Sequence, residues 1–183
     1  FYGISVSQIV SESGTYKNIT PEPFFGVSVP LSSNSKYKNT LYDCIKLFTS
    51  VEELTDDNQV YNEKTKEKED AKKKIIFWSL PDILVITLNR FTNANNKDQR
   101  MIDFPINDFD LSKFIIGYDK KSYIYDLYGV CNHSGGTAGG HYSSFVKTSV
   151  GDWYHFNDTI VNKVEEASIK TPKAYCFFYR KKK

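Results

Sequence analysis

The chain reads as an α+β domain made mostly of antiparallel strands, and three observations predict it. Short segments rich in Tyr, Phe and Val recur at 123–130, 142–147 and 174–179, separated by polar or glycine-rich stretches. Ile83-Leu84-Val85-Ile86-Thr87-Leu88 is a nearly continuous apolar run bounded by Pro81, which fits a strand covered on both faces. Only one segment carries a strong helical period: Leu41, Cys44, Ile45 and Phe48 fall at i, i+3, i+4 and i+7.

Taken in order, residues 1–31 alternate polar and apolar and predict strands turning at Ser13-Gly14. Residues 32–39 form a polar loop. The helix follows, with Thr40 placed to cap its first turn and Asp43 suited to its positive end. Residues 62–74 mix both charge signs densely and read as a solvated turn or hairpin. Loops are expected at 93–100, 132–140 and 148–152.

The 183 residues, 40% hydrophobic, suffice for one cored domain or part of a larger one. The 24 basic and 22 acidic residues leave a net charge of +2, which supplies no general field for nucleic acid or an anionic membrane. No apolar run approaches the roughly 18–20 residues of a membrane-spanning helix. The three cysteines, Cys44, Cys131 and Cys176, are odd in number and form no C-x-x-C pair, which favours a reducing, intracellular setting, cytoplasmic or nuclear. The chain begins at Phe1 and its single methionine is Met101, so a cut piece or processed product is expected.

The chemistry concentrates around His141. Glycines 135, 136, 139 and 140 precede it, and Asn157-Asp158 follow it after the aromatic segment Trp153-Tyr154-His155-Phe156. A thiol with pKa about 8.5 needs a base to become nucleophilic near neutral pH, and an imidazole can take its proton. The other ring nitrogen then needs a partner, which a carboxamide supplies without charge. Asn157 is the expected orienting residue; Asp158 could do the same or polarise a group at the oxyanion position. His133 reads as a hydrogen-bonding loop residue and His155 as one exposed face of a strand. Neither has a cysteine or carboxylate at metal-ligand spacing, so no metal or other cofactor is expected. The cysteines read as small packing residues, with Cys131 the nearest to the glycine segment.

Several motifs in order resemble the ubiquitin-specific proteases. They are Leu80-Pro81 with Leu88-Asn89-Arg90-Phe91, Asp103-Phe104-Pro105, Tyr125 through Gly136, Gly139-Gly140-His141-Tyr142, Trp153 through Asp158, and Ala174 through Arg180. The resemblance implies a papain-like fold of fingers, palm and thumb, with residues 1–78 mainly fingers and 79–183 the palm carrying the histidine box. It implies His141 as general base, Asn157 as the third triad member and Asp158 as an assisting acid. Gly139, Gly140 and Tyr142 would border the channel for the Gly-Gly tail of ubiquitin, and the family hydrolyses the isopeptide bond after that tail. The thumb with its cysteine box is absent from these residues, so the chain alone is expected to be inactive and to depend on that thumb segment; the alternative is a non-catalytic ubiquitin-binding scaffold. Positions matching the family's fingertip zinc thiols are Ser11, Gly14, Asn62 and Thr65, which implies a fingertip without zinc.

Overall fold

A computed structural model describes residues 2–32, 38–91, 96–117 and 123–183; part of the loop expected at 93–100 lies outside them. Fourteen strands and one α-helix build the described chain. In order they are β1 (Gly3–Ser11), β2 (Lys17–Phe24), β3 (Val27–Pro30), α1 (Leu41–Phe48), β4 (Val51–Leu54), β5 (Val60–Asn62), β6 (Glu67–Glu69) and β7 (Ala71–Ser79). β8 (Ile83–Asn89), β9 (Phe109–Asp110), β10 (Ile124–Gly136), β11 (Gly139–Lys147), β12 (Trp153–Asn157), β13 (Ile160–Val164) and β14 (Ala174–Lys181) follow.

The strands divide between two main sheets. A four-stranded sheet has the order β2-β1-β7-β4, and a larger one runs β13-β12-β11-β10-β14-β8-β3 with β9 added beside β10. Neighbours are antiparallel except β3, which lies parallel to β8. Pro21 and Pro23 sit in β2, an edge strand, where a missing N–H costs no ladder bond. Because β3 pairs with β8 and α1 packs beside β3, both elements lie with the larger sheet, although they precede residue 78.

The helix forms as its period predicts. Leu41, Cys44 and Ile45 are buried, and the Asp43 N–H donates to Thr40 Oγ1 at 3.1 Å while the Thr40 hydroxyl returns a bond to Asp43 Oδ2 at 2.8 Å. Together these fill the inner surface of the large sheet with Leu84, Ile86, Leu88, Phe104, Phe109, Tyr125, Leu127, Phe177 and Tyr179. The buried phenols keep partners: Tyr125 donates to the Pro81 carbonyl at 2.8 Å and Tyr179 to that of Pro105 at 2.7 Å.

Two readings need correction. β8 is fully buried on one face only; Ile83, Val85 and Thr87 on the other are half-covered. Gly26 stands against Val85 on that side. The glycine-rich stretch 132–140 is not a loop: β10 and β11 run through it and meet in a tight hairpin, with Gly135 opposite Gly140 and Gly136 opposite Gly139. The charged run 62–74 is a hairpin turn followed by the start of β7, where Lys72 and Lys73 stand opposite Glu53 and Glu52 on β4. Cross-strand opposite charges suit that exposed edge.

Replacing Thr40 by Ala removes both cap bonds and is expected to lower stability by about 1 kcal/mol. Equilibrium denaturation of the two proteins checks it, and an unchanged midpoint contradicts the capping argument.

Candidate active site

The site is built by register. Ser134 pairs with His141 and Asn132 with Ser143 between β10 and β11; Ser144 pairs with Phe156 and Phe145 with His155 between β11 and β12. Side chains alternate along each strand, so His141, Ser143 and Phe145 share one face with Asn132, Ser134, His155 and Asn157. Asn157 lies one residue beyond the Phe156 pair and is thus the diagonal neighbour of His141, within reach across adjacent strands. The contact is made: His141 Nε2 and Asn157 Oδ1 are 2.5 Å apart.

That bond fixes the chemistry of the ring. With the Asn157 oxygen accepting, Nε2 carries its proton and Nδ1 is the nitrogen left to act as a base. The imidazole is exposed and opens onto a cleft lined also by Gln99, Ser134, His155 and Thr171 to Lys173. A larger, apolar groove lies away from this chemistry, on the four-stranded sheet between Ile4, Val6, Ile76 and Trp78.

Asp158 takes a different place. It begins the two-residue turn between β12 and β13, with Asn157 opposite Ile160, and its φ of 52° is the left-handed conformation such hairpin turns require. The hydrogen bond to His141 comes from Asn157.

The glycines serve the hairpin. A Cβ on Gly140 would fall 2.2 Å from His133 Nε2 and 2.6 Å from the Ser134 carbonyl oxygen. Gly135 has φ +106° and stands close to Gly139 and Gly140. Nothing stands within 4 Å of the Cβ position on Gly139. Tyr142 lies on the face of β11 opposite His141, is 56% exposed, and rests on the His133 ring at 4.7 Å. Gly139, Gly140 and Tyr142 are not among the residues that line this cleft.

His133 and His155 differ from their expected settings. His133 is a buried strand residue among Phe91, Tyr142 and Tyr175. The Lys97 ammonium donates to its Nδ1 at 3.0 Å and to its carbonyl oxygen at 2.5 Å, which places the ring proton on Nε2, against Gly140. Burial first, and then the Lys97 charge, hold its pKa below the usual histidine value. His155 is half-buried, packed on Phe145 at 4.7 Å, and faces the cleft. Period-2 spacing from Asn157 was the signal for it.

Arg90, which the chain's polar pattern does not single out, sets the far wall. It is 1% exposed. Its Nε donates to the Ala174 carbonyl at 2.9 Å, and Nη1 to those of Asp98 at 2.8 Å and Arg100 at 2.9 Å. Those three carbonyls bracket Gln99 and adjoin Lys173, both in the cleft lining.

The cysteines are packing residues. Burial raises the Cys44 thiol to about 11 and pushes Cys131 and Cys176 up as well. A reactive thiol needs the opposite shift.

An imidazole oriented by a carboxamide on a rigid sheet is the arrangement that the base half of a thiol-hydrolase site requires. The family model described as "Ubiquitin carboxyl-terminal hydrolase" matches residues 17–179. The chain belongs to that family. It is 42% identical over 146 residues to Ubiquitin carboxyl-terminal hydrolase 9 of Arabidopsis thaliana, covering 78% of this chain and 16% of the relative. It is 41% identical over 145 residues to Ubiquitin carboxyl-terminal hydrolase 15 of Homo sapiens, covering 77% and 15%. The chain therefore spans about a sixth of the length of these relatives.

Among solved structures, it superposes on a chain of the SAGA Ubp8/Sgf11/Sus1/Sgf73 DUB module bound to ubiquitin aldehyde with a TM-score of 0.81 at 27% identity. The match covers 100% of this chain and 42% of that one. A chain of the yeast SAGA DUBm gives 0.85 at 28% identity, covering 100% and 41%. The fold is thus that of a deubiquitinase catalytic domain, in its papain-like fingers-and-palm portion.

Gly140→Ala is expected to destabilise the β10–β11 hairpin through its clash with His133. Adding His133→Ala should recover part of the loss, since the Ser134 carbonyl still crowds the new methyl. Denaturation midpoints of the single and double variants check this; strictly additive losses contradict it.

Proposed function

We propose that this chain is the histidine-bearing part of a thiol protease that hydrolyses the isopeptide bond following the C-terminal Gly-Gly of ubiquitin. The observation that carries the reading is the His141–Asn157 bond, which orients a ring that lines an open cleft and leaves Nδ1 outside that bond. The nucleophilic sulfur comes from a segment outside these residues, the thumb.

The chemistry follows from that geometry. The incoming thiol gives its proton to Nδ1 of His141, and the thiolate attacks the carbonyl carbon of the ubiquitin C-terminal glycine. The imidazolium, steadied by the Asn157 oxygen, returns the proton to the leaving lysine amine as the C–N bond breaks. A thioester to the enzyme remains. Water then attacks it with His141 again as base, releasing the ubiquitin carboxylate and the thiol. Asp158 assists at the rim of the site. The ubiquitin tail approaches beside Gly139, where space is open. Ubiquitin and its conjugates are the proposed partners, and three free cysteines support an intracellular, reducing setting.

The test uses the longer protein that carries the thumb, treated with a ubiquitin probe bearing a thiol-reactive C-terminus and with a ubiquitin–lysine isopeptide substrate. Wild type should form the adduct and turn over. His141→Ala should lose about 10²- to 10⁴-fold in turnover, and Asn157→Ala a smaller part of that, with KM little changed. Absence of an adduct with wild type, where ubiquitin still binds, would support a scaffold role and overturn the catalytic reading.

A further inference from the structure

Among the described residues, β5 and β6 pair only with each other, although β6 leads through Asp70 directly into β7. Ladder hydrogen bonds therefore do not hold this hairpin to the four-stranded sheet. At its base, the Glu12 N–H donates to the Asp70 carbonyl at 2.9 Å, and Gln59 Nε2 to Asp70 Oδ1 at 2.8 Å. Next to Asp70, at the end of β6, the Glu69 carboxylate reaches back along the hairpin and gathers donors from both sides. Glu69 Oε1 accepts from Asn62 Nδ2 at 2.8 Å and from Thr65 Oγ1 at 2.7 Å, within the hairpin. Glu69 Oε2 accepts from the Ser13 hydroxyl at 2.6 Å, in the turn joining β1 and β2. Asn62 Nδ2 also donates to Thr15 Oγ1 at 2.8 Å. Ser13 shares hydrogen bonds with the hydroxyls of Ser11 at 2.9 Å and Thr15 at 2.7 Å. Ser11 and Asn62 are buried, at 3% and 1% exposed, so this cluster is built, not a chance surface contact.

Only a carboxylate suits the centre. It accepts at both oxygens and donates at neither, and its bonds are charge-assisted. The hydrogen bond from Ser13, then that from Thr65, holds the Glu69 carboxyl down to about 2. A carboxamide of the same shape would turn an NH2 group toward one set of donors. Three of the four positions matched above to the family's zinc thiols, Ser11, Asn62 and Thr65, belong to this network.

We infer that Glu69 is the latch of a hinged fingertip: its carboxylate fastens the β5–β6 hairpin to the β1–β2 turn without a metal ion, and losing that one charge releases the hairpin as a unit while the four-stranded sheet stays paired. The hinge lies at Asp70, and the catalytic reading is not needed for it.

Amide hydrogen exchange of this chain at neutral pH tests the latch, comparing wild type, Glu69→Gln, Ser13→Ala and the double variant, each with and without EDTA. Glu69→Gln should speed exchange roughly tenfold or more within 60–69, while amides of β1 and β7 between Ser5 and Phe77 keep wild-type rates. Ser13→Ala should act in the same place more weakly, and the double variant should add little to Glu69→Gln. EDTA should leave the wild-type pattern unchanged. Wild-type exchange in Glu69→Gln, faster exchange spread evenly over the four-stranded sheet, additive effects of the two substitutions, or release of the wild-type hairpin by EDTA would each overturn the inference.

Discussion

Everything at the site depends on the antiparallel register of β10, β11 and β12. Side chains alternate with a period of two, so a slip of one residue in β11 would carry His141 to the opposite face and leave Asn157 facing a tyrosine. One hydrogen bond between an exposed imidazole and a carboxamide, with a net value of about 1 kcal/mol, could not enforce that register. The turns do. Gly135 and Gly140 close the β10–β11 hairpin with their Cβ positions already occupied, Gly151 turns between β11 and β12 at φ +96°, and Asp158 turns β12 into β13. His133, pressed onto Gly140 and held by Lys97, supports the hairpin from behind. The His141–Asn157 pairing is therefore a consequence of the sheet, which is what a preorganised site requires.

The facing wall of the cleft rests on a different kind of interaction. Arg90 carries a full charge into the core, and its three acceptors are backbone carbonyls. The nearby Asp98 carboxylate is engaged instead with Arg100, at 2.5 Å. A buried cation held by carbonyl dipoles tolerates little displacement, because moving any acceptor leaves both it and the charge short of a partner. This ties the segment around Gln99 and the start of β14 to the end of β8, segments far apart in sequence. Among the described residues, Nη2 of Arg90 has no hydrogen-bond partner, and these contacts pin the guanidinium along one side.

How much of this was readable beforehand varies by element, for physical reasons. The helix was legible because period, cap and first-turn acid agreed at Thr40 to Phe48. The proximity of His141 and Asn157 was legible because His141 stood at the start of the predicted strand 142–147 and the aromatic segment 153–156 could return Asn157 beside it. The glycine hairpin was not, since Gly135, Gly136, Gly139 and Gly140 carry no side-chain pattern and normally signal a loop. Its strand character is imposed by the pairing of β10 with β11. The first half of β7 was hidden in a run of lysines whose partners, Glu52 and Glu53, lie some twenty residues upstream. The parallel pairing of β3 with β8 and the carbonyl cage of Arg90 are likewise non-local, and no local window contains them.

The character of the open site follows from what the three cysteines are doing. Cys44 faces the core from α1, and Cys176 takes a bond from the Thr87 hydroxyl at 3.5 Å. Cys131 lies on the face of β10 opposite Asn132 and Ser134, and so away from His141. Burial raises all three thiols, where nucleophilic work demands a lowered one. Under the proposed function, the sulfur partner of His141 arrives with another segment of polypeptide. That segment then has a second task. An imidazolium–thiolate pair gains strength when water is excluded, yet His141 is exposed on this chain. On that proposal, whatever brings the thiol also covers the ring, which makes closure of the cleft and assembly of the proposed catalytic pair one event.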